Sequence, residues 1–478
     1  MAKFGENILP LFLGFGMKYM LEIIDLLGQK WGKHRKAWAL SFFFFGTPLI
    51  YFLRDGLSLA PNSKVFTALF TFGGLFLAIP FRKMDHVYAY NRRLLWCIIT
   101  YWTLALFYLA IYTPNRGWFT NTTSELVYFV VILLAGFIFA TISFHELLDY
   151  FLPASFWICL LGSLGMLLIV AKNPSFVLGM RASITFNEDA GVSWGNPHIY
   201  GRSAYAGLVA TLLLLRQPHL VSTKALYYFS FLTNLAVIGL TQSVQTFLAL
   251  GLFGLFYGFF QTTPTTVYRI LKWIFSWRGF LVFLTILGIA YYIVFKTQLI
   301  NTFNHLFSVI WGRLDKILSL VSAQSEGPAA LLKTVGPKQV DASAMGRVEN
   351  IEQVWEGILE NISDGEWWWI LLGKGYQKLY VDCPLIQTFN DLGVIGFTAY
   401  FLLHVGMLSL SIREFKRQTH PGLVFVCYFL LHTFVQDLVF GMPYDFLRWS
   451  LFLFMARILK PYSWQNTTRY SPNPLPIS

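Results

Sequence analysis

Charge is what this 478-residue chain has least of. Charged residues make up 13% of it, about half of what an ordinary soluble domain carries. With 56% hydrophobic residues and a mean hydropathy of +0.55, the shortage excludes a soluble globular protein. Cysteine is scarce too. Cys97, Cys159 and Cys427 lie in apolar runs and Cys383 stands alone, so no spacing suggests a disulfide framework, zinc, an iron–sulfur cluster or haem. The N-terminus lacks a short apolar core followed by a small-residue cleavage site, and no removable signal peptide is expected. Acidic residues number 24 against 36 basic ones. The resulting charge of +12 is scattered between apolar segments, which argues against nucleic acid as a partner.

Long apolar runs are present throughout, each of a length that suits a ~30 Å hydrocarbon core. Twelve spans are expected, at 37–53, 65–80, 94–112, 126–142, 151–170, 203–215, 225–241, 246–260, 279–295, 385–411, 422–440 and 446–459. The reading is an all-α polytopic membrane protein of about 12 transmembrane helices in the lipid bilayer. Residues 1–36 form a cytoplasmic or interfacial N-terminus, because the segment from Leu9 to Leu27 is interrupted by Gly14, Gly16, Lys18, Glu22 and Asp25. Spans 1–9 occupy 37–295, spans 10–12 occupy 385–459, and 460–478 is a cytoplasmic tail.

Orientation follows from the short basic loops. Lys30, Lys33, Arg35 and Lys36 precede the first span; Arg82, Lys83, Arg92 and Arg93 follow the second. Arg216 and Lys224 follow the sixth, Arg269, Lys272 and Arg278 the eighth, Arg413, Lys416 and Arg417 the tenth. All fall on one side when both termini are cytoplasmic. Two long loops, 171–202 and a large one at 296–384 between spans 9 and 10, then lie on the opposite face.

The large loop contains "GRVENIEQVWEGILENI", in which Val348, Ile351, Trp355, Ile358 and Ile362 recur at helical intervals. Glu349, Glu352, Glu356 and Glu360 occupy another face, so the helix suits either the membrane surface or the roof of a cavity. "AQSEGPAALLKTVGPKQVDAS" reads as a flexible excursion. Arg181 in the first outer loop, Arg347 at the start of the amphipathic helix and Arg202 at the mouth of the sixth span offer planar donor forks that suit phosphate oxygens. A loop arginine is also commonly just solvated. His198 between Pro197 and Ile199 is a further candidate, or a turn cap. Asp437 in "LLHTFVQDLVF" is an ionisable residue within a span, which marks either function or a pairing between helices.

Three stretches together resemble the O-antigen ligase and Wzy-type polysaccharide polymerase superfamily of integral-membrane glycosyltransferases. "RASITFNEDAGVSWGNPHIYGRSAYAGLVATLLLL" is similar to the family's loop arginine, glycine and Asn-Pro ahead of a small-residue helix. "GRVENIEQVWEGILENISDGEWWWILLGKGY" is similar to its Gly-Arg, tryptophan-bearing helix and Gly-x-Gly. In "VDCPLIQTFNDLGVIG", Asp382 stands where ligases often place histidine; Cys383, nine residues and a Gly-x-x-Gly at Gly393 and Gly396 follow with the family's spacing. "LTQSVQTFLAL" occupies the place of a segment that often carries Ser-Arg, but lacks the arginine. The resemblance spans roughly residues 170–400.

It implies glycan transfer from a polyprenyl (undecaprenyl) diphosphate carrier to an acceptor sugar hydroxyl, on the outer face of a bacterial cytoplasmic membrane. The implied roles are diphosphate binding by Arg181, Arg347 and Arg202, with Arg347 and Asp382 catalytic. Asp382 would orient the acceptor or act as its base. No cofactor and no metal are implied, and no Asp-x-Asp pair for one is present. Gly393 and Gly396 are expected to let neighbouring helices approach closely. Aspartate in place of histidine favours polymerase over ligase, with a chain-length regulator as a further partner. A twelve-span secondary transporter is the rival class, although no repeat of halves is evident and the long loops would be surplus to transport.

Overall fold

The computed structural model describes residues 34–79, 87–111, 122–173, 197–217, 221–261, 342–377, 383–439 and 441–459, with isolated positions between them. The segment 9–27, the ninth span at 279–295 apart from Leu281 and Leu284, the stretch 323–341 and the tail lie outside the described residues. So do Arg181 and Asp382. Within the described residues every regular element is a helix.

Helix α1 (His34–Phe45) and α2 (Thr47–Gly56) form one bent pair, turning through 76°. The bend has a local cause. Pro48 sits in the first turn of α2 and has no N–H to continue the ladder, and a Cβ at Gly46 would strike the carbonyl of Phe42. The straight run expected at 37–53 is therefore broken. Then follow α3 (Lys64–Leu77), α4 (Arg92–Ile111), α5 (Thr122–Thr141), α6 (Phe144–Lys172), α7 (Pro197–Leu215), α8 (Val221–Thr241) and α9 (Val244–Gln261). After the large loop come α10 (Ala342–Ser363), α11 (Trp367–Leu372), α12 (Pro384–Arg417), α13 (Pro421–Val439) and α14 (Phe446–Ile458). Prolines open α7, α12 and α13, where a missing N–H costs nothing. Among the described residues five helices are long and apolar enough to cross a membrane, or six if the bent pair is one span. This is a membrane-embedded helical protein.

The helices run alternately up and down, as their end contacts show. At one end Arg35 donates to the Ile79 carbonyl at 3.0 Å, Arg216 to Gln261 at 2.8 Å and Gln418 to Phe260 at 3.0 Å. Asn91 joins them by donating to Leu459 at 2.9 Å. Arg35, Arg92, Arg93, Arg216, Lys416 and Arg417 gather here, so this is the basic end. The opposite end brings together the starts of α5, α7, α9, α12 and α14 with the ends of α4, α8 and α13.

Helix α7 is the axis of the bundle. Gly201, Ser203, Ala204, Ala206, Gly207 and Ala210 keep it narrow, and it is buried on nearly every side by α6, α8, α9 and α13. A Cβ at Gly207 would lie 2.6 Å from Asn234 Oδ1 on α8, and one at Gly201 2.5 Å from Thr246 Oγ1 on α9. Small residues let helices approach where lipid supplies no hydrophobic drive between them.

Candidate functional site

The site is best built from the helix that breaks. Helix α12 changes direction at Gly393, whose φ of +62° and ψ of −165° suit glycine alone. The break ends a short first segment, 384–392, and leaves its last carbonyls without helical partners. A loop running from Gly373 to Gln377 supplies them. Lys374 N–H donates to the Asn390 carbonyl at 2.8 Å and Gly375 N–H to that of Asp391 at 3.0 Å. Gly373, at φ +88°, and Gly375, at φ +112°, allow this loop to lie flat against the break. The Gly-x-Gly and the Gly-x-x-Gly, twenty residues apart in sequence, are two sides of one junction.

Gly396 behaves differently from its expectation. A Cβ there would meet Leu392, on the other side of the same break, rather than a neighbouring helix. Its smallness makes room for the turn within α12.

Asp391 locks the junction. It is fully buried, and its Oδ2 accepts from Gln377 N–H at 3.0 Å, Tyr444 O–H at 3.1 Å and the Gln387 amide at 3.4 Å. Oδ1 accepts from Asn390 at 3.2 Å. Tyr444 lies in the turn between α13 and α14. Burial, and then the Asp391 carboxylate, pushes its phenol well above the ordinary range, so it stays a donor. Tyr376, its ring tilted against that of Tyr444 with centroids 4.1 Å apart, donates to the buried Glu125 at the start of α5. Tyr108 of α4 donates to the Leu372 carbonyl at 2.9 Å.

The second part of the site lies where α7 meets α13 and the turn between α8 and α9. His198 Nδ1 is 2.8 Å from Gln245 Nε2 and 2.9 Å from Ser243 Oγ. His432, buried on α13, approaches Thr246 Oγ1 at 3.3 Å. The segment that lacks the Ser-Arg pair thus supplies uncharged polar partners to the first turn of α7. One turn deeper, Arg202 holds its guanidinium over the Phe429 ring at 5.0 Å. Its Nη1 is 4.0 Å from Asp445. Its Nε and Nη2 are shielded from solvent and have no hydrogen-bond partner among the described residues.

Asp437 pairs between helices. Its oxygens lie 2.7 Å from Arg448 Nη1 and 2.6 Å from His404 Nε2. The contact with Arg448 is close in distance but not aligned as a hydrogen bond. Arg448 also donates to the Met442 carbonyl. The ion pair balances the charge of Asp437, while its Oδ1 accepts no hydrogen bond among the described residues.

The structure therefore brings His198, Arg202 and Asp437 to one end of the bundle, opposite the basic end. Arg347 falls on α10, one turn before Ile351, and only its helical position is described. That helix docks through Ile351, Val354 and Ile358 on Val381, Cys383 and Ile386, and so covers the residues on either side of position 382. The apolar face expected on α10 shifts accordingly: Val354 is buried, whereas Trp355 and Ile362 are exposed. Asp391, Arg448, His404 and His432 escaped the sequence reading, although the criterion that selected Asp437, an ionisable residue inside an apolar run, applies to each. Among the described residues no group of three His, Cys, Asp or Glu side chains converges as metal ligands.

Compared with known proteins, the chain matches no family model and no curated protein.

Proposed function

We propose that this chain is a membrane glycosyltransferase of the polysaccharide polymerase type. It would move a glycan from a polyprenyl diphosphate carrier to an acceptor sugar hydroxyl, at the end of the bundle that holds Arg202. On this reading twelve spans cross a bacterial cytoplasmic membrane, and the basic end and both termini face the cytoplasm. The site then opens on the outer face.

Arg202 is the observation that carries the proposal. A guanidinium set among helices whose Nε and Nη2 have no acceptor among the described residues is costly, roughly 1–3 kcal/mol per buried unpaired group and more for a charged one. The position is explained if an anion completes it, and a planar fork fits diphosphate oxygens. In the reaction, the bond from the anomeric carbon to the diphosphate oxygen breaks and the acceptor oxygen bonds to that carbon. The hydroxyl proton leaves to a base, the role proposed for Asp382. Arg202, with Arg181 and Arg347, would stabilise charge on the departing diphosphate.

A second reading, a secondary transporter, is favoured by the break in α12 and by the buried His404–Asp437–Arg448 group. Substrate flux into proteoliposomes would support it.

The transferase reading is tested by replacing Arg202 with Ala and with Lys in cells that make the polymer. Alanine should lower polymer formation by about a hundredfold or more, and lysine should restore part of it. Unchanged polymer in the alanine variant at matched expression would sink the reading. Asp382→Asn then separates the classes. A polymerase leaves carrier-linked single repeats; a ligase leaves long carrier-linked chains.

A further inference from the structure

Helix α10 has more apolar surface than its docking partner covers. At 100° per residue, Ile351, Val354, Gly357 and Ile358 lie on the side turned toward the protein, with Val354 only 3% exposed. Beside them Trp355, Leu359 and Ile362 form a second apolar arc that stays open, Trp355 at 61%. Glu352, Glu356 and Glu360 lie beyond that arc, on the far side. Helix α11 extends the open arc with Trp367, Trp368 at 72% and Leu371. The helix thus has three sectors, one for protein, one apolar and open, and one acidic.

The open sector adjoins a membrane-facing stripe. Leu371 and Gly373 press against Gly393, and from there Val394, Ile395, Phe401, Leu402 and Val405 are exposed along a helix long enough to cross a bilayer. Tryptophan favours the boundary between headgroups and acyl chains, where its ring is apolar and its N–H is wet. A helix with one apolar and one charged sector lies in the plane of that boundary.

We infer that α10 and α11 form an interfacial element, with Trp355, Leu359, Ile362, Trp367 and Trp368 sunk into the lipid boundary and the glutamates in water. Its partner is a bilayer surface of low negative charge. Residues 347–378 carry Glu349, Glu352, Glu356, Glu360, Asp364 and Glu366 against Arg347, Lys374 and Lys378, a net acidic segment, so anionic headgroups are repelled rather than recognised. The contact is apolar and insensitive to salt. It holds whichever chemistry the bundle performs.

The test uses the full-length protein in phosphatidylcholine nanodiscs containing a fraction of phosphatidylcholine with a diazirine near the top of one acyl chain. After illumination, adducts are located by peptide mass spectrometry. Adducts are expected on Trp355, Leu359 and Trp367–Leu371 as well as on Val394–Val405, with the glutamate sector unlabelled and no change on adding salt. Labelling of Val394–Val405 without any on α10 or α11 would overturn the inference while leaving the membrane reading intact. Labelling of α10 and α11 in discs holding one copy, but protection in discs holding two, would give the arc to a second copy and also overturn it. A Trp367→Glu, Trp368→Glu variant should lose about tenfold of the labelling on α11. If that variant does not assemble, the wild-type pattern decides alone.

Discussion

Gly373 and Gly393 meet backbone to backbone, so that a Cβ on either would overlap main-chain atoms of the other's segment. Neither residue has a flexible neighbour that could yield. The contact joins the outer cap, α10 and α11, to the broken helix α12, and it explains why two glycine motifs occur where they do.

Replacing Gly393 with Ala should lower thermal stability by an amount corresponding to about 1–3 kcal/mol from the backbone conformation alone, with the clash added. Gly251→Ala is the control. It lies in a helix with nothing within 4 Å of its Cβ position, so it should be neutral or stabilising by up to about 1 kcal/mol. Thermal unfolding in detergent, read for both variants, checks the contrast; equal shifts would remove the junction from the argument.

Asp391 and Tyr444 should behave as one unit. Asp391→Asn keeps the shape but turns acceptors toward donors, and a loss of about 1–3 kcal/mol is expected. Tyr444→Phe should cost about 0.5–1.5 kcal/mol. The double variant should lose less than the sum, because one change already removes the shared bond. Strict additivity in a double-mutant cycle would deny the coupling.

The Arg448–Asp437 pair predicts a rescue. Arg448→Met alone leaves a buried carboxylate with His404 as its remaining contact partner among the described residues, at a cost of about 3–5 kcal/mol. Combining it with Asp437→Leu removes the stranded charge and should recover much of that loss. Protein yield and melting temperature of the three variants are the readout, and a double variant worse than the single one would contradict the account.

Opposite faces should be labelled at opposite ends of the bundle. A membrane-impermeant maleimide added to intact cells should modify Asp364→Cys but not Gln418→Cys, both positions being exposed. Lysis should open Gln418→Cys to the reagent. Equal labelling before lysis would end the orientation proposed from the basic loops.

Many helices were legible because lipid demands unbroken apolar runs, although the run expected at 203–215 begins in the structure at Pro197. The bend at Gly46 and the break at Gly393 were not. Each depends on what its glycine touches, and composition alone cannot distinguish a packing glycine from a kink. For α10 the sequence showed a single broad apolar arc including Ile351, Trp355 and Ile358. Which half docks is decided by Val381 and Cys383, residues far along the chain. Asp391 was hidden for a related reason: the loop that bonds to it, 373–377, precedes it in a segment whose path the sequence does not give. Arg202 was found as a donor fork at the mouth of a span and Asp437 as a charge within one, but only the contacts show that Asp437 is ion-paired while two nitrogens of Arg202 have no acceptor among the described residues.

Helix α7, wrapped by α6, α8, α9 and α13, is largely shielded from lipid in the finished protein and is not among the helices of the described residues apolar enough to cross on their own. A segment carrying Arg202, Ser203 and Thr211 gains little by partitioning into bilayer alone. Its entry during synthesis therefore depends on company. Helices α6 and α8, which cover it most, are expected to supply that company, so a nascent chain that stops after residue 215 should hold α7 less firmly in the membrane.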